Sequence, residues 1–133
     1  MALKIPSHLK KVRAPHLTPE ELIAFESRIR DQYEAGQIRS PIHLAKNNEK
    51  ELIEIFQYIS ADDWVFVPWR NHYHALLHGV DPDKLFNSIL AGKSMGTNNI
   101  NPNFYASSIV GGIIPMALGV AVALQRLNSP TRV

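Results

Sequence analysis

The stretch DWVFVPWRNHYHALLHG, residues 63–79, joins a short apolar run to a dense cluster of polar and aromatic side chains. The run at 64–67 is rich in β-branched and aromatic residues, which predicts a buried strand or extended segment. Pro68 ends this run, and a helix is predicted from about Trp69 to His78, where Gly79 stops it. Arg70 therefore stands at the predicted start of a helix.

This position makes Arg70 a candidate anion-binding residue. Backbone N–H groups at a helix N-terminus and the guanidinium group can donate hydrogen bonds to the same anion. His72 can add a third donor. The alternative is an ordinary surface arginine at the start of a helix.

The neighbouring segments predict further helices. Thr18, Pro19 and Glu21 form an N-terminal capping box that begins a helix, and Gly36 ends it. A loop follows at 37–46, and Asp62 and Asp63 mark a turn. The apolar face of the first helix is Leu22, Phe25, Ile29 and Tyr33; a second helix after Asn47 or Asn48 uses Leu52, Ile55, Phe56 and Ile59; another begins at Asp81–Pro82 and ends near Gly92.

Residues 92–107 read as a polar loop, and residues 108–127 as a final helix that is apolar nearly all round. Its apolar part, 109–124, is shorter than the roughly 20 residues of a membrane span. We therefore expect a buried helix and no membrane partner. Small residues at 107–112, with an expected N-cap among them, would let a ligand approach the backbone closely, although such residues also permit tight helix packing.

Composition limits the possible functions. The 133 residues predict one domain, and the absence of cysteine excludes disulfides, iron–sulfur clusters and cysteine–zinc sites. A net charge of +2 is weak evidence for an anionic partner, and the scattered basic residues do not indicate nucleic-acid binding. With no stretch typical of a signal peptide, we expect a cytoplasmic location.

The histidines suggest one possible metal site. His74 and His78 are four residues apart and share one helix face, a spacing that can hold zinc if another ligand such as His43 joins them. The alternative is a pair of solvated or half-buried histidines.

Several segments follow one another as in the alpha subunits of thiamine-diphosphate-dependent 2-oxo acid dehydrogenases, the family that acts on pyruvate, branched-chain 2-oxo acids or acetoin. They are residues 32–39, 41–44, 63 with 69–72, 78–82, and 103–105 with 109–111. Over roughly residues 24–127, the chain resembles the N-terminal part of such a subunit.

This resemblance implies an α/β fold, namely the helix-rich N-terminal portion of a thiamine-diphosphate-binding fold. Residues 1–17 would be an extended arm, and residues 18–133 a partial thiamine-diphosphate-binding domain. We expect the chain to be truncated before the Gly-Asp-Gly and Asn motif with which the family holds Mg²⁺.

The resemblance also implies roles for individual residues. Trp69 and Arg70 occupy the Tyr-Arg positions that bind the cofactor diphosphate in the family. His43 matches a histidine that lines the active-site cavity, and His72 matches the histidine of the Tyr-Arg-x-His motif. We therefore expect His43 and His72 to be the catalytic residues.

Two further positions, Ser108 and Val110, fall where backbone groups of the family contact the aminopyrimidine ring. The loop at 92–96 is shorter than the family's Gly-Gly-Ser-Met-His loop and lacks its histidine. No metal ligand is assigned, so we expect thiamine diphosphate to bind weakly or not at all, and Mg²⁺ only in the full-length family.

The implied function is oxidative decarboxylation of a 2-oxo acid with acyl transfer to lipoamide, although we expect the chain to be inactive alone. The implied partner is a beta subunit, which supplies the glutamate that activates the cofactor. Two alternatives remain open: a non-enzymatic helical protein that self-associates as a homodimer or oligomer, and a histidine-based metal-binding helical protein.

Overall fold

The computed structural model of the protein describes residues 4–98 and 103–133. Within these ranges the backbone forms five helices and two short strands. They are α1 (Pro19–Glu34), α2 (Glu49–Phe56), β1 (Val65–Val67), α3 (His72–Leu77), α4 (Pro82–Leu90), β2 (Phe104–Ala106) and α5 (Ile113–Arg126).

Helix α1 begins and ends where the sequence predicts. The Thr18 hydroxyl accepts from the Glu21 N–H (3.2 Å), and the Glu21 carboxylate accepts from the Thr18 N–H (2.8 Å), which completes the capping box. Gly36 follows the helix with a φ of +72°, a left-handed conformation that favours glycine. Leu22 and Ile29 are fully buried, but Tyr33 is 47% exposed and does not belong to the core as predicted.

The first four helices surround one apolar core. Helix α1 packs against α2, α3 and α4, and α3 packs against α2 and α4. Helix α2 ends at Phe56, earlier than predicted, and Ile55 is partly exposed at 37%. The buried side chains that these helices contribute include Leu22, Phe25, Ile29, Leu52, Phe56, Tyr73, Leu76, Leu77, Leu85 and Ile89.

The two strands form a small parallel sheet that the sequence predicts only in part. Strand β1 lies within the predicted extended run, whereas β2 falls in the region predicted to be a polar loop. The strands pair in register, with Val65 opposite Phe104 and Val67 opposite Ala106. Helices with a parallel strand pair are consistent with the predicted α/β class; the thiamine-diphosphate-binding fold itself stays a prediction.

Helix α5 differs most from the prediction. It begins at Ile113 rather than at 108, because Gly111 adopts a φ of +74° within a turn. None of its residues is buried, so the expectation of a buried helix is wrong for this chain. Exposure reaches 69% at Ile114 and 64% at Leu118.

In the described part of the chain, no helix has both the length and the apolar character that crossing a bilayer would require.

Residues 4–17 form neither helix nor strand, and Arg13 attaches this arm to the helices. Its guanidinium group donates to the Phe56 carbonyl (3.2 Å) and to the Leu77 carbonyl (2.8 Å), the last residues of α2 and α3. A cation is favourable there because carbonyl groups at a helix C-terminus carry partial negative charge.

The end of the chain lies beside β1. The Trp64 N–H donates to the Arg132 carbonyl (2.8 Å), and the Arg132 guanidinium pairs with Asp63. Burial raises the pKa of Asp63, but hydrogen bonds from Arg132 and Ser60 outweigh it and hold the pKa below its usual value. Asp63, predicted as a turn residue, thus also anchors the C-terminal segment.

Candidate functional site

The candidate site lies at the carboxyl ends of the two parallel strands. Val67 ends β1 opposite Ala106, which ends β2, and the Ser107 N–H donates to the Val67 carbonyl (3.1 Å). The segments after both strands therefore leave the sheet at the same edge. This edge is where ligands bind in open α/β sheets.

Trp69 and Arg70 lie on the segment after β1, but not inside a helix. Helix α3 begins only at His72, with Asn71 as its N-cap residue, so the predicted helix start at Trp69 is wrong. The Asn71 side-chain amide donates to the Trp69 carbonyl (3.1 Å). In a continuous helix that carbonyl would accept from the backbone N–H four residues later.

Because α3 begins only at His72, Arg70 does not lie at the start of a helix. With only six residues, α3 offers too little dipole for an anion site at its N-terminus. Arg70 is nevertheless exposed, so its guanidinium group is open to an anion. Anion binding here would therefore depend on the Arg70 side chain and on its position at the sheet edge.

His43 lies next to Trp69, as a shared site requires. The two rings make an edge-to-face contact with centroids 5.9 Å apart. The His43 Nδ1 atom is shielded from solvent and has no hydrogen-bond partner among the described residues. The structure thus brings His43 into contact with Trp69, the neighbour of Arg70, although 26 positions separate His43 from Trp69 in the sequence.

His72 is in a different environment from the one expected of an active-site residue. Its side chain is completely buried, with Nδ1 3.0 Å from a Glu26 carboxylate oxygen and Nε2 2.9 Å from the Ser94 hydroxyl. The ring therefore has no surface to offer to a ligand. Any contribution of His72 to a site must pass through the residues that it positions.

The order Glu26, His72, Ser94 is that of a nucleophilic triad, in which a carboxylate orients the histidine and the histidine activates a serine. A triad must also expose its nucleophile to a substrate. Ser94 and His72 are both 0% exposed and Glu26 is 4% exposed. Serine hydrolase chemistry is therefore not available in this arrangement.

Ser108 and Val110 lie on the segment after β2. Both residues are exposed, Val110 by 78%, so a ligand can reach this segment. Neither Ser107 nor Ser108 caps α5, because Gly112 occupies the N-cap position and makes no side-chain hydrogen bond.

His74 and His78 share one helix face, as predicted, but this face packs against an aromatic ring. Their ring centroids lie 6.2 and 6.4 Å from that of Phe56. Burial lowers the pKa of His74 to about 4, against a smaller raising effect of a hydrogen bond to the Arg70 backbone. Burial and nearby Arg13 lower the pKa of His78, while Asp63 raises it in part.

Across residues 4–98 and 103–133, no group of three or more His, Asp or Glu side chains is placed to hold a metal ion. The alternative of a zinc site built from His43, His74 and His78 therefore finds no support in this part of the chain.

Sequence reasoning missed Glu26 and Ser94. A signal for Glu26 was present, since it follows Leu22 by four positions and precedes Ile29 by three, and so lies on the apolar face of α1. A carboxylate on a buried face needs hydrogen-bond partners. Ser94 gave no such signal in its polar loop.

Two curated relatives match the chain at similar levels. The mitochondrial pyruvate dehydrogenase E1 component subunit alpha of Dictyostelium discoideum is 29% identical over 104 residues, 72% of this chain and 27% of the relative. Its namesake from Schizosaccharomyces pombe is 28% identical over 107 residues, 74% of this chain and 26% of the relative. The chain resembles pyruvate dehydrogenase alpha subunits.

This result confirms the resemblance to 2-oxo acid dehydrogenase alpha subunits that the sequence predicts. The chain spans about a quarter of the length of the pyruvate dehydrogenase alpha subunits that it matches. No protein-family model matches the chain. Both relatives are named as mitochondrial, and the cytoplasmic location expected from the sequence stays a prediction.

Proposed function

We propose that this chain carries the Arg70 side of a thiamine diphosphate site of the 2-oxo acid dehydrogenase type. The complete activity would be oxidative decarboxylation of a 2-oxo acid, with acyl transfer to lipoamide. The partner that completes the site would be a beta subunit. The chain alone would be inactive.

One observation supports this proposal above the others. The segments that contain Trp69–Arg70 and Ser108–Val110 leave the same edge of the parallel sheet, and His43 contacts Trp69. The resemblance assigns the first two segments to cofactor binding and His43 to the active-site cavity, and the three are far apart in the sequence. Their convergence is expected of a site and not of unrelated surface residues.

The donor groups suit a diphosphate. The exposed Arg70 guanidinium group presents N–H donors that match phosphate oxygens in charge and in geometry. The exposed turn at 107–111 can supply backbone groups to a heterocyclic ring. When bound, thiamine diphosphate would supply the carbanion chemistry that decarboxylation needs.

The same residues indicate weak binding. A diphosphate places several negative charges close together, and a divalent cation is often the largest charge that balances them. The described residues offer one exposed arginine at the sheet edge and no metal-ligand cluster. We therefore propose that Mg²⁺ enters only with the rest of a full-length subunit.

Calorimetric titration with thiamine diphosphate, with and without Mg²⁺, tests the proposal. We expect weak binding that an Arg70→Ala variant weakens by about tenfold or more, since a charge-assisted hydrogen bond contributes about 1.5–3 kcal/mol. Arg126→Ala is the matched control, because Arg126 is exposed at the far end of α5. Equal affinities for the wild type and Arg70→Ala, or no binding by the wild type, would contradict the proposal.

One observation favours the alternative of a self-associating protein. Helix α5 exposes Ile114, Leu118 and Val122 at intervals of four residues, a continuous apolar stripe. A second copy of the chain offers the same stripe, as a twofold interface requires. Light scattering would then show a dimer that Leu118→Glu dissociates; a wild-type monomer at high concentration would exclude this role.

A further inference from the structure

A single buried carboxylate connects two segments of the candidate site. Glu26 projects from α1 into the core and is 4% exposed. One of its oxygens lies 3.0 Å from His72 Nδ1, and the other accepts from the Ala45 N–H at 2.8 Å. Ala45 is two residues after His43, and His72 is two residues after Arg70.

A third segment joins through His72. Its Nε2 atom lies 2.9 Å from the Ser94 hydroxyl, and the Ser94 carbonyl accepts from the Asn71 amide at 2.9 Å. The Asn71 side-chain oxygen in turn accepts from the Thr97 hydroxyl at 2.9 Å. The loop after α4 is therefore attached to the start of α3 by three hydrogen bonds, all made by residues that are almost completely buried.

These bonds determine the relative position of the site residues. Glu26 links the His43 loop to the Trp69–Arg70 segment through its bonds to Ala45 and His72. The contact between the His43 and Trp69 rings joins the same two segments directly. Among these groups, the Glu26 carboxylate is the one that is hydrogen-bonded directly to both segments. An ionised carboxylate only accepts hydrogen bonds, so His72 Nδ1 must donate, which also fixes the orientation of the ring.

We propose that Glu26 is a positioning residue for the candidate site: together with Ser94 it holds His72, and through it the Trp69–Arg70 segment, at a fixed distance from the His43 loop. The effect on cofactor binding rests on the proposed function, whereas the effect on the position of the two segments does not. Glu26 and Ser94 contact no ligand in this role.

NMR on the intact chain tests the positioning without any ligand. In Glu26→Gln, the neutral amide cannot accept from both His72 and the Ala45 N–H as the carboxylate does. We expect the Ala45 amide signal and the ring-current shift of His43 to change, while signals from Leu85 and β2 stay in place. Glu54→Gln on α2 is the matched control and should leave all of these signals unchanged.

Ser94→Ala keeps the test decisive if Glu26→Gln does not fold, because it removes only the hydroxyl bond to His72. Here we expect shifts at His72 and Trp69 with the Ala45 amide unchanged, and Ser88→Ala on α4 as the silent control. Unchanged Trp69 and His43 signals in both folded variants would overturn the proposal. Global loss of dispersion in Ser94→Ala would also overturn it, because the serine would then be a general stability element.

Titration with thiamine diphosphate adds a second readout. In the folded Ser94→Ala variant we expect affinity to fall by about tenfold with the Arg70 side chain intact, the size typical of removing a supporting residue. Wild-type affinity in a variant with displaced Trp69 signals would overturn the link to the site. If the wild type itself does not bind, the proposed function fails, while the NMR comparison still decides the positioning role.

Discussion

Helices α1 to α4 and helix α5 are both rich in apolar residues, yet they differ in what covers them. Leu22 in α1 and Leu85 and Ile89 in α4 are 0% exposed, whereas no residue of α5 is buried. The first group has amphipathic helices that can cover one another. A helix that is apolar nearly all round needs covering on every side, and packing against β1 does not provide it. An apolar sequence therefore predicts that a helix needs to be covered, but it does not predict that the helix is buried in this chain.

Truncating one leucine in α4 and one in α5 should separate the two regions most clearly, by their effects on the free energy of unfolding. Leu85→Ala removes a fully buried side chain and should lower the free energy of unfolding by about 2–5 kcal/mol. Leu118→Ala removes one that is 64% exposed and should change it by about 0.5 kcal/mol or less. Urea unfolding of dilute protein measures both. Similar losses at the two positions would mean that α5 is covered in solution.

A smaller effect should appear as pH dependence of the packed region. The pKa of His74 lies at about 4 in the folded chain, against about 6.5 when unfolded. Because the unfolded chain binds more protons between these values, stability should rise with pH. Between pH 5 and pH 7.5 the gain from His74 should be about 2 kcal/mol.

Urea unfolding at the two pH values measures this gain, with His74→Gln as the test variant and His16→Gln, an exposed histidine of the arm, as the control. His74→Gln should lose most of the dependence and retain the part due to His78. If the free energy of unfolding of His74→Gln depends on pH as strongly as that of the wild type, His74 is solvated. The face of α3 that contacts Phe56 would then lie at the surface.

We expect the arm, residues 4–17, to be held less firmly than helices α1 to α4 and more firmly than α5. Arg13→Ala removes two hydrogen bonds to the carbonyls that end α2 and α3. We expect a loss of about 1–2 kcal/mol and faster proteolysis within residues 4–17. Arg30→Ala, which removes only exposed ion pairs, should have little effect. Equal protease resistance of wild type and Arg13→Ala would contradict this anchoring.

Much of the helical layer could be predicted because local chemistry determines it. The capping box at Thr18, the Asp81 cap with Pro82, and the glycines at 36 and 92 set boundaries within a few residues of those observed. Spacing identified most of the core faces of α1 and α2. These signals act over one or two helical turns, which is the distance that sequence patterns report.

The features that failed depend on distant residues. Strand β2 is only three residues long and exists because it pairs with β1, almost 40 positions earlier. The start of α3 is delayed by the Asn71 side chain, whose other partners, Ser94 and Thr97, lie over 20 positions away. His72, expected to be catalytic because it matches the Tyr-Arg-x-His motif, is buried by contacts with Glu26 and Ser94, which lie 46 and 22 positions away in the sequence.

The residues of the candidate site were identified by resemblance to the family. The structure shows in addition that the segments that contain them lie close together. His43 contacts Trp69, the neighbour of Arg70, and the turn with Ser108 and Val110 starts from the neighbouring strand. No local pattern places these segments side by side, because the parallel pairing of β1 and β2 does so.

Chemical-shift mapping with thiamine diphosphate is the decisive measurement for a shared cofactor site, because it shows which part of the surface responds. We expect changes grouped at His43, at residues 69–70 and at residues 107–111, all of which weaken in Arg70→Ala. Changes confined to other surfaces, such as the groove lined by Arg30, Lys46 and Tyr73, would contradict it. So would the absence of any change at millimolar cofactor.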